Sequence, residues 1–180
     1  ERDMSLLESL SDQAAVTVDI VKLYDQLATQ QRIEQELRLA RDFQQLLLPK
    51  ESPKVPGIDI AAFSEPALEV GGDYFDFIWI DEEHLGVVIG DVSGKGIPGA
   101  LVMSMVRSIL RAESRNNFSP ASVLKLVNEY MRQDTKANVF ITMTYAVINI
   151  SNRTIRFARA GHEPLITYNP SNDKPHLYTP

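Results

Sequence analysis

The chain has 180 residues, 44% of them hydrophobic and 23% charged, with a formal net charge of −6 and no cysteine. That composition is globular rather than disordered. Its acidity argues against a nucleic-acid or anionic-membrane footprint, and the missing thiols exclude disulfides, thiol catalysis and thiolate metal sites. No apolar run approaches the roughly 20 residues of a membrane helix, so no membrane contact is expected, and a reducing, cytoplasmic setting fits.

The sequence opens at Glu1 rather than at a methionine and closes at "HLYTP" just after a strand-like segment, so it reads as a piece of a longer protein. Residues 4–47 contain neither Gly nor Pro and are rich in Leu, Gln, Glu, Arg and Ala, which predicts one helix. At about 1.5 Å per residue it would run for about 65 Å, long for a helix serving only its own small domain. Leu10, Ala14, Val21, Tyr24 and Ala28 keep one 3–4 apolar stripe, and Ile33, Leu37, Ala40 and Leu47 keep another. The two are out of register across a Gln-rich middle, as a coiled-coil stutter would produce. A homodimer through this helix is the reading preferred over a helix packed on its own domain. "LPKESPKVPG" breaks the helix and divides the chain into 1–47 and 48–180.

Beyond the break the period shortens. Residues 58–63, 73–80 and 84–91 read as strands, 99–115 as a mostly buried helix, and Ser119-Pro120 as the cap and first position of a helix to about Gln133. Residues 139–149, 154–160 and 164–168 read as strands again. Strands, a helix pair and further strands make an α+β domain with an antiparallel sheet.

In "VGGDYFDFIWIDEEHLGVVIGDVSGKG" Asp73, Phe75, Phe77 and Trp79 alternate on one strand face, and Leu85, Val87, Ile89 and Asp91 on the next. A hairpin with Asp81-Glu82-Glu83 as its loop sets Trp79 against Leu85, Phe77 against Val87 and Phe75 against Ile89. The same register sets Asp73 against Asp91, and a one-residue slip would undo the apolar match. Like charges so placed destabilise a sheet. A shared proton would relieve them, as would Mg²⁺ or Mn²⁺, hard cations that prefer oxygen ligands. Two cations about 3.5–4 Å apart, bridged by a carboxylate, would suit the spacing. Gly71, Gly72, Gly90, Gly94, Gly96 and Gly99 leave the surrounding backbone free for close approach to a ligand. Asp76 lies on the other face and is a weaker candidate.

Other patterns carry less. "GKGIPG" fits the dinucleotide fingerprint between strand and helix, but the acidic residue needed about 20 positions later is absent. Ser93 lacks a G-x-S-x-G frame. His162 in "ARAGHEP" sits in a tight turn and reads as structural, with a substrate or supporting role behind it. Trp79, Met103 and Met105 read as core, and Lys95 as a loop lysine able to approach an anion.

"PALEVGGDYFDF", "VVIGDVSGKGIPGALVMS", "FITMTYAVIN" and "ARAGHEPLITY", in this order, resemble the SpoIIE-type branch of the bacterial metal-dependent PPM protein phosphatases. "ARDFQQLLLP" resembles the linker into that domain, and "LLESLSDQAAVTVDIVKLY" the last helix of a GAF sensor domain. The resemblance implies a four-layer αββα sandwich with a binuclear Mn²⁺ or Mg²⁺ centre between the sheets. It implies that Asp73 and Asp91 are catalytic metal ligands, with Asp91 bridging and the Val92 carbonyl joining them. It also implies hydrolysis of phosphoserine or phosphothreonine proteins, such as anti-sigma-factor antagonists, without a covalent enzyme intermediate. Regulation through the linker helix and the helix pair 99–115 and 120–133 is implied as well. The family's C-terminal metal-binding aspartates have no counterpart here, since only Asp134 and Asp173 follow Asp91. The expectation is a phosphatase domain without its C-terminal part, weakly active or inactive. A non-catalytic dimerisation and signal-transmission module is the alternative.

Overall fold

A computed structural model describes residues 2–65, 69–135, 139–171 and 173–178, with the side chains of residues 2, 3 and 5–12 left out. Helix α1 runs Arg2–Leu47, unbroken as the absence of Gly and Pro predicts. Contacts divide the chain into Glu1–Leu39 and Ala40–Pro180. The first unit is a single helix. Its Val21, Tyr24 and Ile33 are 55%, 70% and 52% exposed, whereas Leu37 is half-buried. The Leu10 side chain lies outside the described residues.

The second unit begins with the last turns of α1 and continues through β1 (Tyr74–Trp79), β2 (His84–Val92), α2 (Ile97–Glu113), α3 (Pro120–Asp134), β3 (Ile141–Asn149) and β4 (Thr154–Ala160). The hairpin β5 (Leu165–Asn169) and β6 (Lys174–Tyr178) follows. The first four strands form one antiparallel sheet in the order β1-β2-β3-β4, and β5 and β6 a separate two-stranded one. Helix α3 starts as its sequence predicts, with Ser119 Oγ accepting from the Ser122 amide and Pro120 in the first turn, where no helical N–H partner is needed.

Alternation gives the four-stranded sheet two unlike faces. Tyr74, Ile78, Val88, Val92, Met143, Tyr145 and Val147 point to one side. Met103, Val106 and Leu110 of α2 and Val123, Val127 and Met131 of α3 cover them. Gly86 is required beneath Tyr145, because a Cβ there would lie 2.6 Å from the phenol oxygen. On the other side Leu85 and Thr144 are buried and Phe75, Phe77 and Val87 half-buried, while Trp79 and Ile89 are 47% and 54% exposed. Trp79 therefore corrects its reading as core. It sits on the open face, where no helix is packed, whereas Met103 is core as expected.

The strand expected at 58–63 does not form. Pro56 and Gly57 (φ 74) turn the chain so that the Ile58 amide donates to the Val55 carbonyl, an isolated bridge. Residues 59–65 are without regular structure, and Phe63 is 86% exposed. An alternating run becomes a strand only when a neighbouring edge supplies its hydrogen bonds, and no such edge lies beside it among the described residues.

Candidate metal centre

The β1–β2 hairpin has the register that its apolar pattern predicts: Phe75 opposite Ile89, Phe77 opposite Val87 and Trp79 opposite Leu85. Both ends of that register are fastened. At the turn, Asp81 Oδ1 accepts from the amides of Glu83 and His84, and the Ile80 amide donates to the His84 carbonyl. At the far end the Val92 amide donates to the Gly72 carbonyl (3.3 Å), extending the ladder beyond Tyr74. Asp73 is thereby set opposite Asp91, on the open face.

Among the described residues no side-chain cation forms an ion pair with either carboxylate. Asp73 is exposed at the cleft mouth, yet its carboxyl is held above its ordinary range, first by partial loss of hydration, then because the Asp91 charge and a hydrogen bond with Asp91 favour its proton. They line a cleft of about 320 Å³ with Gly72, Val92, Lys95, Phe140 and Thr142. The Val92 side chain points into the helix-covered core, so its main chain is what it can offer the cleft. Gly72 lies against that main chain so closely that a Cβ would approach the Val92 carbonyl oxygen to 2.7 Å. Gly94 and Gly96 have φ of 107° and 69°, conformations that free the loop to curl beside Asp91.

Neighbouring elements hold this end of the sheet. Gln44, buried in the last turns of α1, donates from Nε2 to the Gly71 carbonyl (2.7 Å) and accepts from the Gly71 amide (3.1 Å). Phe140 donates its amide to Ser93 Oγ while the Ser93 amide donates to the Phe140 carbonyl, both at 2.8 Å. Ser93 is therefore a clamp between the β2–α2 loop and the start of β3.

Asp76 lies on the opposite face, as its parity predicts, and has another fate. It is fully buried, and Arg111 of α2 donates to it from Nε and Nη2 (2.6 and 2.7 Å). Tyr74 Oη donates to it as well (3.0 Å). Arg107 Nε lies 3.9 Å from the same carboxylate and donates to the Leu47 carbonyl at the end of α1 (2.6 Å). Hydrogen bonding to Asp76 is the main reason the Arg111 guanidinium sits above its ordinary range.

Two carboxylates and a nearby carbonyl suit a hard divalent cation. Among the described residues no third His, Cys, Asp or Glu joins them, so water must fill much of any shell. Sequence reasoning missed Gln44, Thr142 and Phe140. Thr142 reaches the cleft because β3 pairs with β2 and sets it opposite Asp91. No local pattern foretells that pairing across some fifty residues.

Residues 81–180 match the family profile described as Stage II sporulation protein E (SpoIIE). The chain belongs to the SpoIIE family. Phosphoserine phosphatase RsbU of Bacillus subtilis (strain 168) is 40% identical over 139 residues, covering 77% of this chain and 41% of RsbU. The chain thus spans about two fifths of the length of that relative. Among solved structures, the SiaA-PP2C domain of Pseudomonas aeruginosa superposes with a TM-score of 0.62 at 22% identity, covering 74% of this chain and 55% of that one. RsbX in complex with magnesium superposes at 0.50 and 19% identity, covering 62% and 52%. At such identities the likeness speaks to the fold, which is that of PP2C-type domains. Among the described residues of this SpoIIE-family chain, no helix is long and apolar enough to cross a membrane.

Proposed function

We propose that the chain is the metal-dependent protein serine/threonine phosphatase module of a sensor-coupled signalling protein. The carrying observation is the convergence of Asp73 and Asp91, two carboxylates that share a cleft and, among the described residues, form no ion pair. Asp73, Asp91 and the Val92 carbonyl are the proposed metal ligands, with Asp91 bridging. Divalent cations held there, Mn²⁺ or Mg²⁺, would acidify water for attack and offset charge on the phosphoryl oxygens.

The chain's own residues have separate tasks in this reading. The carboxylates supply hard oxygen donors, and the hairpin keeps them at one spacing. Lys95, exposed beside the cleft, attracts the phosphorylated substrate, and Phe140, 65% exposed at the same opening, offers apolar contact to its polypeptide. Because this donor set fills only part of a divalent cation's shell, slow turnover by the 180-residue chain is expected.

Further parts of the proposal rest on narrower support. The open apolar face of the sheet is what a second sheet would cover in a four-layer αββα sandwich. The similarity to a phosphoserine phosphatase favours a phosphoprotein substrate, of the anti-sigma-factor-antagonist kind. The exposed Val21, Tyr24 and Ile33 of α1 favour a homodimer, with residues 1–47 as the end of a GAF-like sensor domain and a coiled-coil linker to the domain at 48–180. A cytoplasmic setting agrees with the cysteine-free sequence.

Calorimetric titration with Mn²⁺ tests the centre. The chain is expected to bind, and Asp91→Asn to lose about a hundredfold or more in affinity; equal binding by both overturns the reading. Sedimentation velocity tests the dimer: Leu37→Pro should yield monomers, and an unchanged sedimentation coefficient would remove the coiled coil.

A further inference from the structure

Beside the cleft stands a histidine that the carboxylate pair does not use. Strand β4 ends at Ala160, and Gly161, with φ of 66°, still bridges to Met143 of β3. The turn lies in ordinary contact with Thr142: a Cβ on Gly161 would stand 3.7 Å from its Cγ2. His162, the next residue, is half-buried with Nδ1 hydrogen-bonded to Thr142 Oγ1 at 2.9 Å. Arg159 donates from Nη1 to the His162 carbonyl (2.7 Å), so the turn is held from the strand that precedes it.

Thr142 is the register partner of Asp91, so the two side chains leave the sheet on the same face, and Thr142 lines the cleft. Among the described residues its hydroxyl bonds to His162 and not to Asp91. A threonine hydroxyl has one proton and two lone pairs. When Nδ1–H of His162 donates to one lone pair, the Thr142 O–H is left to point at an anion in the cleft. The χ1 of a β-branched residue is already restricted, and the imidazole then fixes where that hydroxyl stands.

We propose that Thr142 donates a hydrogen bond to the phosphoryl oxygens of the substrate, and that His162 is the positioning residue that aims it. This rests on the phosphate-hydrolysing reading of the cleft. The pair supplies a neutral donor where a third carboxylate would repel the substrate, so it serves the anion rather than the cation.

Inorganic phosphate, titrated with Mg²⁺ present and followed by ¹⁵N and ¹H NMR of the 180-residue chain, tests this. Phosphate should shift the His162 ring nitrogens. Thr142→Val should loosen phosphate roughly tenfold, the worth of one hydrogen bond to a charged acceptor, and Thr142→Ser should retain it. His162→Ala should loosen it severalfold, with rescue by His162→Asn, whose amide can stand where Nδ1 stood. All four variants should keep the Mg²⁺ response, which Asp91→Asn alone abolishes. Unchanged phosphate affinity in Thr142→Val overturns the proposal, as does equal loss in Thr142→Ser, which would assign the effect to packing. If Asp91→Asn keeps its Mg²⁺ response while Thr142→Val still loses phosphate, the metal reading fails and this proposal stands.

Discussion

Asp73 and Asp76 lie three residues apart on one strand and its approach, yet the protein treats them in opposite ways. Asp76 faces the helices, is fully buried, and receives two hydrogen bonds from Arg111 and one from Tyr74. Asp73 faces the open side, meets a second carboxylate, and is held partly toward its protonated form by lost hydration and by Asp91. Both surroundings follow from parity along β1. The core carboxylate has its counter-charge built in, which a buried ion must have to be tolerated. The cleft carboxylates form no ion pair among the described residues, and two such carboxylates are left able to accept a cation from outside the chain.

Removing the built-in counter-charge should have the largest effect. Arg111→Met leaves Asp76 buried without its main partner and should destabilise the domain by about 3 kcal/mol, at the lower end for breaking a buried pair because Arg107 remains nearby. Thermal denaturation should register a fall of roughly ten degrees. A loss below about 1 kcal/mol would mean that Asp76 is not the costly buried charge described above.

Asp91→Asn should move stability the other way. Without metal, it relieves a like-charge contact, and chemical denaturation should find the variant equal to or up to about 1 kcal/mol more stable than the parent. Stability gained at the expense of metal affinity would separate a ligand position from a structural one. A clear destabilisation would assign Asp91 to the fold instead.

The smallest effect is a pH dependence. Because the folded-state pKa of Asp73 is raised, the folded chain binds more protons than the unfolded chain between the ordinary value of 3.8 and the raised one. In that window this group's contribution to stability falls as pH rises and is regained as pH drops. Carboxyl ¹³C titration should find the Asp73 pKa lowered by Asp91→Asn, yet still above 3.8, because lost hydration is the larger cause. An unmoved pKa would mean that the two carboxylates do not sense each other.

Much of this was legible beforehand. The hairpin register could be read because aromatic and aliphatic residues alternate on both strands around a short acidic loop, and only one alignment matches them. Ser119-Pro120 and the breaker-free run of α1 were equally local signals. The run at 58–63 misled, since alternation alone cannot supply a partner edge, and the hairpin strand at Lys174–Tyr178 went unread because Pro175 and the polar residues around it mask its pattern. Trp79 misled by its type, a large aromatic on the face no helix covers.

The sequence by itself determined which residues alternate, where helices begin and break, and that two aspartates end the same sheet face. These depend on neighbours within a hairpin or a turn of helix, where spacing along the chain is spacing in the molecule. Only the tertiary structure decided that α2 brings Arg111 to Asp76, that Gln44 ties α1 to the glycines before Asp73, and that Thr142 and His162 stand at the cleft. The hydrogen bonds that make those contacts join residues 20 to 35 positions apart. They are set by how helices cover one face of the sheet and how β3 docks on β2, which no local pattern encodes.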